Sequence, residues 1–580
     1  MQETKPLLLL KKYRSILTAA TIVELVTFLV SLTDTIVAAN VVGMDALAAV
    51  GLVAPFFSIA TFVTAVINSG TVTNYSERIG HFDPNGAHGI FGQGVIMAVS
   101  SGILLTVILL LIKNIFIDSS HISGMTRTYL EEYYDIIVFY FMMAPISALL
   151  DNIVVSDGGE KLSAISNSIQ IVGNVVLSIL LSMAFGIRGI AIATVSCKAL
   201  FIVLICLWFF SKKNTIHFRW HFSTGDGVSI VRRGLVRATT FAMTALMMMV
   251  LNADILKHFD TMTFDVWVII QKVLGLSSIF LGLSMTLQPL IGTLRGEKNT
   301  KAIRILTRHA SFDMLIAGGI TAVPILCFAP TILRVFDMEK GEVFDLGKGA
   351  LHITGLMMIF MALTVFLFIY YFLIDKQLLA VTVSVLKDLV CPLGLVLLLE
   401  TIWKGQSSAI WVGLTIAAVI TLLFIIIIVL VRYGEELFPY LIPREPDSRI
   451  YIYAFDVTDE NIIALSKTAQ QLLQEHGFSQ RTQYITSLCL EDLFMLIKEK
   501  NREHGERLFA ECTLIMEEEG ARLILRDTGI IFDITDEDAA VDSFLQYTVA
   551  NMMQAIDYKA YVVTTGYNRN ELFFEERKSA

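Results

Sequence analysis

Long apolar runs recur along this chain, and each is long enough to demand a bilayer. A helix needs about 20 consecutive apolar residues to cross the hydrocarbon core. That ruler places spans near 15–40, 46–73, 88–113, 128–150, 162–185 and 188–210. A second set falls near 235–257, 265–293, 309–330, 349–374, 377–399 and 408–431. The expected fold is an all-α polytopic membrane protein of 12 helices, two sets of six. Composition agrees: 55% of the 580 residues are hydrophobic and 17% charged, against roughly 25% charged in soluble chains. The first run follows Lys5, Lys11, Lys12 and Arg14. It is too long for the roughly 7–15-residue core of a cleavable signal. The six cysteines show no framework spacing, which excludes a disulfide scaffold. A net charge of −9 argues against a nucleic-acid partner.

The connecting loops orient the spans. Lys212, Lys213, Arg219, Arg232, Arg233 and Arg237 are read as the loop after the sixth span, and Arg295, Lys298, Lys301, Arg304 and Arg308 as the loop after the eighth. By the positive-inside rule both loops face the cytoplasm, as do both termini. The two sets also read as copies. Gly80-His81-Phe82-Asp83 aligns with Gly296-Glu297-Lys298-Asn299, and Glu160-Lys161-Leu162-Ser163-Ala164 with Lys376-Gln377-Leu378-Leu379-Ala380, at a shift of about 216. Six spans per copy keep both copies in the same orientation, as in parallel-repeat transporters, with a cavity expected between them near the midplane. The chain then divides into an N-lobe (1–215), a C-lobe (216–435), a linker (436–447) marked by Pro439, Pro443 and Pro446, and a soluble α+β domain (448–580). That last part holds 23 acids and 13 bases, a net −10, so the membrane part is near +1. The acidity belongs to the appended domain.

Ionisable groups within the spans cost several kcal/mol, at least about 2.5 on insertion scales, and so mark function or pairing. Glu24 and Asp34 lie ten residues apart in the first span and project from similar faces. A carboxyl in a low-dielectric cavity can load H⁺ or Na⁺ on one side and release it on the other. Asn174, Ser178 and Thr194 offer neutral oxygens to the same cation, or interhelical hydrogen bonds. Asp151 and Asn152, at the inner end of the fourth span, read as caps. In the second set Asn252, Asp254, Gln271, Lys272, Lys387, Asp388 and Gln288 are the polar groups available to a substrate cavity. Lys272 and Lys387 pair with acids or snorkel. Pro289 removes a backbone donor and kinks the eighth span. No metal-ligand cluster stands out.

Thr33-Asp34-Thr35, then Asp45-Ala46-Leu47-Ala48-Ala49-Val50-Gly51 and Pro55, resembles the opening of the multidrug and toxin extrusion (MATE) family. Gly282-Leu283-Ser284 with Leu287-Gln288-Pro289-Leu290-Ile291-Gly292 is similar to the start of that family's second half, and Gly189-Ile190-Ala191-Ile192-Ala193-Thr194 to its sixth span. The resemblance covers about residues 10–435. It implies a V-shaped pair of six-helix lobes in a bacterial inner (plasma) membrane. It implies cation-driven export of small organic cations or amphipathic compounds. It maps the family's buried acid onto Asp34 and its span-five Asn onto Asn174. Ser178 stands where many members carry Asp, which points to a weaker cation site or to H⁺ rather than Na⁺. Two other classes stay open: a lipid-linked precursor flippase of the same superfold, and a non-transporting receptor signalling through the appended domain.

In that domain Arg526-Asp527-Thr528-Gly529-Ile530-Ile531-Phe532-Asp533 resembles the adenine-binding box of the ATPase fold (Bergerat-type) shared by histidine kinases and anti-sigma-factor kinases. The resemblance gives Asp527 the adenine amino group, Gly529 the close backbone approach and Phe532 the packing, with Asp492 or Glu491 as the acid. It makes ATP or ADP the expected ligand. The Mg²⁺-binding Asn falls on Leu496 or Met495, which offer no oxygen. Phe544-Leu545-Gln546-Tyr547 stands where the glycine-rich lid belongs. Hydrolysis is therefore not expected. A regulatory role, sensing nucleotide, a protein partner or a second copy of the chain, is. The plain alternative is a tight turn capped by Asp527.

Overall fold

The computed structural model describes residues 2–37, 41–119, 124–335, 341–403, 405–434, 449–502, 508–517, 519–530, 557–564 and 566–576. Side chains of 25–37, which include Asp34, lie outside the described set. The N-lobe comprises α1 (Leu7–Val37), α2 (Met44–Gly80), α3 (Pro84–Ser119), α4 (Met125–Ser156), α5 (Glu160–Phe185) and α6 (Ile187–Cys206). The C-lobe begins with α7 (Thr224–His258), then α8 (Thr261–Leu274), α9 (Ser278–Met285) and α10 (Leu287–Gly296) in one interrupted rod. It continues through α11 (Thr300–Val335), α12 (Glu342–Leu373), the rod α13 (Gln377–Val385) and α14 (Cys391–Ile402), and α15 (Ser408–Tyr433). Among the described residues 11 helical segments are long and apolar enough to span a membrane. Helix α1, 31 residues long, occupies the first expected span.

Two departures from straight helix have chemical causes. Pro289 offers no N–H to the Met285 carbonyl, and the eighth span breaks between α9 and α10 as expected. Thr286 caps the break by donating to the Leu283 carbonyl at 2.6 Å. In the eleventh span a π-turn, Leu386–Val390, separates α13 from α14 and presents Lys387 and Asp388 side by side.

The repeat is visible bond by bond. After α2, the N–H groups of His81, Phe82 and Asp83 donate to the carbonyls of Glu77, Ile79 and Arg78. After α10, those of Glu297, Lys298 and Asn299 donate to Thr293, Arg295 and Leu294. Phe82 (φ 55°) and Lys298 (φ 59°) share the left-handed turn position, so the shift here is 216 residues. At the second pair of turns Gly159 bonds Val154 and Lys376 bonds Tyr371. That shift is 217, so Glu160 corresponds to Gln377.

The lobes meet through glycine. A Cβ on Gly70 of α2 would overlap the Ile230 carbonyl of α7, and one on Gly234 of α7 would overlap the Val66 carbonyl of α2. Gly80 and Gly296, repeat partners, touch backbone to backbone. Gln288 completes the seam, donating to the Ser69 carbonyl at 3.0 Å and to Thr73 Oγ1 at 2.9 Å. Arg237 is not a loop residue as expected; it lies inside α7 and is buried.

The appended domain is an antiparallel five-stranded sheet, β1 (Ile450–Asp456), β2 (Phe509–Met516), β3 (Gly520–Asp527), β4 (Asp557–Thr564) and β5 (Tyr567–Glu575), in the order β1-β2-β3-β5-β4. Strand side chains alternate between faces. Cys512, Leu514, Leu523, Leu525, Leu572 and Phe574 point toward α16 (Asp459–Glu475) and α17 (Gln480–Lys500) and form one core. Ile450, Ile452, Ile515 and Ile524 on the other face join a core with Leu9, Tyr13, Leu294 and Ala302 of the membrane part. The sheet is docked on the helices.

Gly234→Leu should overpack the α2–α7 contact, at a cost of about 1–3 kcal/mol. A melting temperature in detergent equal to that of the unsubstituted chain would show that this close approach is not structural.

Candidate functional site

A cavity of about 420 Å³ lies between the lobes, walled by α1, α2, α4, α5, α7, α9 and α10. Its ionisable lining is Glu24 from α1, Asp151 from α4, Glu160 from α5 and Arg237 from α7. Asn68, Asn152, Asn167, Thr64 and Ser278 add neutral polar atoms. The carboxylates are not equivalent. Glu160 is neutralised by Lys12 at 2.7 Å and accepts from Ser15 at 3.0 Å. Asp151 accepts from Ser163 at 2.5 Å and Asn167 at 3.1 Å. Both donors sit on α5, so this acid links α4 to α5 instead of capping its own helix. Glu24 packs on Gly282, where a side chain would overlap its carboxyl.

Arg237 joins the halves. It is 5% exposed, and among the described residues its Nε and Nη1 have no hydrogen-bond partner. Its guanidinium stacks 5.0 Å from the Phe241 ring and 5.9 Å from Phe368. The carboxylates of Asp388 and Glu24 act on it from opposite lobes. A buried guanidinium is costly unless negative charge lies near enough to balance it. Its signal was present in the sequence: the apolar run 235–257 already contains it.

The expected second-half residues do not share one place. Gln271 and Asp388 line a separate cavity of about 210 Å³ inside the C-lobe, with Met247, Met248, Met357, Met361 and Lys387. There Asp388 accepts from Lys387 at 2.5 Å, from Ser384 at 3.1 Å and from Thr240. Asn252 accepts from Trp267 at 2.6 Å and from Gln271 at 2.7 Å, tying α7 to α8. Asp254 lies at the end of α7 away from the sheet, 2.9 Å from His258, which is 3.5 Å from Glu400; these three could hold a metal ion. Lys272 is exposed. Gln288 sits in the lobe seam. Pro289, not Gln288, faces the interlobe cavity.

In the N-lobe Asn174 and Ser178 share the buried face of α5 with Ser166 and Ser182. Thr194 on α6 donates to the Ile190 carbonyl at 3.1 Å. None of the three is part of the lining around Glu24. The Asp34 assignment falls outside the described side chains.

In the appended domain Asp527 accepts from the Gly529 N–H at 2.8 Å and Asn568 at 2.7 Å. That is the capped turn weighed from the sequence. Asn501 accepts from the Ile530 N–H at 2.8 Å and crowds Gly529. Burial pushes Asp527 up to about 6, against the pull of those two donors. Asp492 is half-buried, and burial with neighbouring Glu491 raises it. Phe532 lies outside the described residues.

The sheet's opposite face carries a charged row that sequence reading missed. Arg526 reaches Glu297 and, at 3.2 Å, Glu511. Arg569 donates to the Ile79 and Gly80 carbonyls at 2.7 and 2.8 Å, pairs with Glu297 at 2.8 Å, and stacks 3.6 Å from Phe82. Burial pushes Glu511 up to about 7 despite Arg526. One sheet face therefore holds the end of α2 in the N-lobe and the end of α10 in the C-lobe.

The family model named MatE matches residues 19–180 and 238–386. Among solved structures, one titled as the outward-facing conformation of a multidrug resistance MATE family transporter of the MOP superfamily is 21% identical, with a TM-score of 0.66 over 73% of this chain and 98% of that one. A MATE crystal structure in complex with MaD3S is 20% identical, with a TM-score of 0.66 over 73% and 98%. A MOP superfamily transporter from Pyrococcus furiosus, whose title reports reverse polarity of its binding pocket, is 20% identical, with a TM-score of 0.66 over 73% and 97%. No curated protein matches.

A raised folded-state carboxyl means that the folded chain binds the proton more tightly, so stability falls as pH rises from about 4 to about 6. Calorimetry of the Asp527→Asn variant should lose that fall, roughly 2–3 kcal/mol in the transition of the appended domain. An unchanged pH slope would count against a protonated Asp527.

Proposed function

The chain belongs to the MatE family, and from that premise we propose that it exports organic cations by alternating access in exchange for H⁺ or Na⁺. The observation that carries this reading is the interlobe cavity, where Glu24 and Asp151 remain after Lys12 has neutralised Glu160. A cation entering there would compete with Arg237 for Glu24. Protonation of Glu24 would release the cation and leave Arg237 to Asp388. Asp34, Asn174, Ser178 and Thr194 are the proposed N-lobe coupling set, and Gln271 with Asp388 the C-lobe contribution. Apolar walls such as Val23, Phe241, Leu281 and Met285 suit amphipathic cargo. Arg232, Arg233, Arg295, Lys298 and Lys301 all cluster at the end bearing the sheet. That supports a plasma-membrane protein of 12 spans with the sheet and both termini in the cytoplasm.

Uptake of a fluorescent organic cation into everted vesicles tests this. Glu24→Gln, Asp151→Asn and Asp34→Asn should each cut ion-driven transport on the order of 10-fold or more, as for loss of a buried charged partner. Transport by Glu24→Gln and Asp34→Asn equal to that of the unsubstituted chain, under both a pH and a Na⁺ gradient, would defeat the coupling scheme.

The appended domain is proposed to be a non-hydrolysing, ATPase-like regulator that controls opening toward its own side. Supporting it, Arg526 and Arg569 bridge the two lobes at the seam that must part for the cavity to open there. Breaking a buried pair costs about 3–5 kcal/mol, enough to shift a two-state equilibrium strongly. In an Asn152→Cys background, Arg526→Gln with Arg569→Gln should raise cavity labelling from the sheet side several-fold. Equal labelling rates would remove the regulatory role.

A further inference from the structure

A groove of about 590 Å³ lies at the sheet-bearing end of the C-lobe, between the start of α7, the start of α13 and the end of α15. Four cations line it, Arg232, Arg233, Lys376 and Arg432, against one acid, Asp375. That surplus of three survives the pairing at the inner wall. Arg233 is committed to Glu77 and lies 3.8 Å from Asp375; Arg295 lies 3.3 Å from Glu77 and 3.7 Å from Asp375. Two arginines and two acids thus cancel at the groove's inner wall. Among the described residues no carboxylate pairs with Arg232, Lys376 or Arg432. Among the described residues these three positive charges converge on one concavity without a carboxylate partner, two of them over the Tyr433 ring.

A second donor set points the same way. Helix α13 starts in the groove. The first N–H bonded within that turn is Ala380, to the Lys376 carbonyl at 3.0 Å. The N–H groups of Gln377, Leu378 and Leu379, all in the lining, precede it and carry the positive end of the helix dipole. Backbone donors and cations facing one space form an anion site.

The surroundings decide which anion. Leu378 is 70% exposed, Val228 65% and Val431 83%, an apolar rim beside the cations. In the segment between α6 and α7, Trp220 and Phe222 are each 81% exposed, and Phe210 is 87% exposed. Exposed aromatics of this kind mark the headgroup level of a bilayer. A soluble phosphate compound has no use for an apolar rim, whereas a lipid offers a phosphate and acyl chains in that arrangement. The geometry points to a binding site for the phosphate of an anionic phospholipid headgroup, held by Arg232, Lys376, Arg432 and the α13 N-terminus. The same groove touches the Glu77–Arg233–Arg295 cluster, which joins α2 of one lobe to α7 and α10 of the other. A lipid there sits against the seam that the lobes share.

The test uses the full chain in detergent, with native mass spectrometry and thermal melting as readouts. Dioleoyl phosphatidylglycerol should be retained at least about 10-fold better than dioleoyl phosphatidylcholine and should raise the melting temperature. Arg232→Gln with Lys376→Gln and Arg432→Gln should weaken that retention on the order of 100-fold, as expected for three basic residues at a membrane surface. Lys212→Gln with Lys213→Gln, at the same end but outside the groove, should leave it intact. Inorganic phosphate in excess should not displace the lipid. Equal retention of the two lipids, a triple variant that binds as well as the unsubstituted chain, loss in the Lys212/Lys213 control, or full displacement by inorganic phosphate would each overturn the lipid site.

Discussion

Much of this molecule depends on how closely α2 approaches α7 and α10. Gly70 and Gly234 remove the side chains that would hold the backbones apart, and Gly80 and Gly296 do the same at the loops. Dispersion is short-ranged, so contact at backbone distance gains most from small residues. Where the backbones meet this closely, long side chains bridge the lobes only beside the glycines, as Arg233 and Arg295 do at Glu77. Polar clasps cross the same seam: Gln288 to Ser69, Ser229 to Asn74 at 2.9 Å, and Glu77 to Arg233 and Arg295.

The charged row on the sheet follows from that seam. Arg526 and Arg569 would be ordinary solvated residues on a free domain. Here both are nearly fully buried, because they face the turn ends of two lobes. The paired turns after α2 and α10 are structural copies, and each offers what an arginine needs: carbonyls at Ile79 and Gly80, a carboxylate at Glu297. One face of the domain therefore contacts both copies of one motif. Asp527 and Asn568 alternate with Arg526 and Arg569 along β3 and β5 and face the helices of the domain. The turn that Asp527 caps lies one peptide unit from the clasp.

Some of the site was legible in order of residues and some was not. Glu24 stood out because a carboxyl in an apolar run is costly wherever it points. Asp151 did not, because its position near a helix end admits capping, and only the α5 hydroxyl and amide beside it show otherwise. Arg237 was hidden by its neighbours: Arg232 and Arg233 made it look like part of a basic loop, whereas α7 extends through all three. The adenine-box pattern around Asp527 was readable, but its local geometry is that of a capped turn, which the same residues allow.

Sequence alone determined that the chain spans a membrane in two copies of one unit and carries an acidic domain after them. Hydrophobic length, loop charge and a repeat near 216 residues are local or periodic properties that need no partner. Tertiary structure decided which buried charges share a cavity and that the appended sheet clasps both lobes. Those outcomes depend on which helix faces which, and side chains such as Glu24 and Arg237, more than 200 residues apart, leave no mark on each other in the order of the chain.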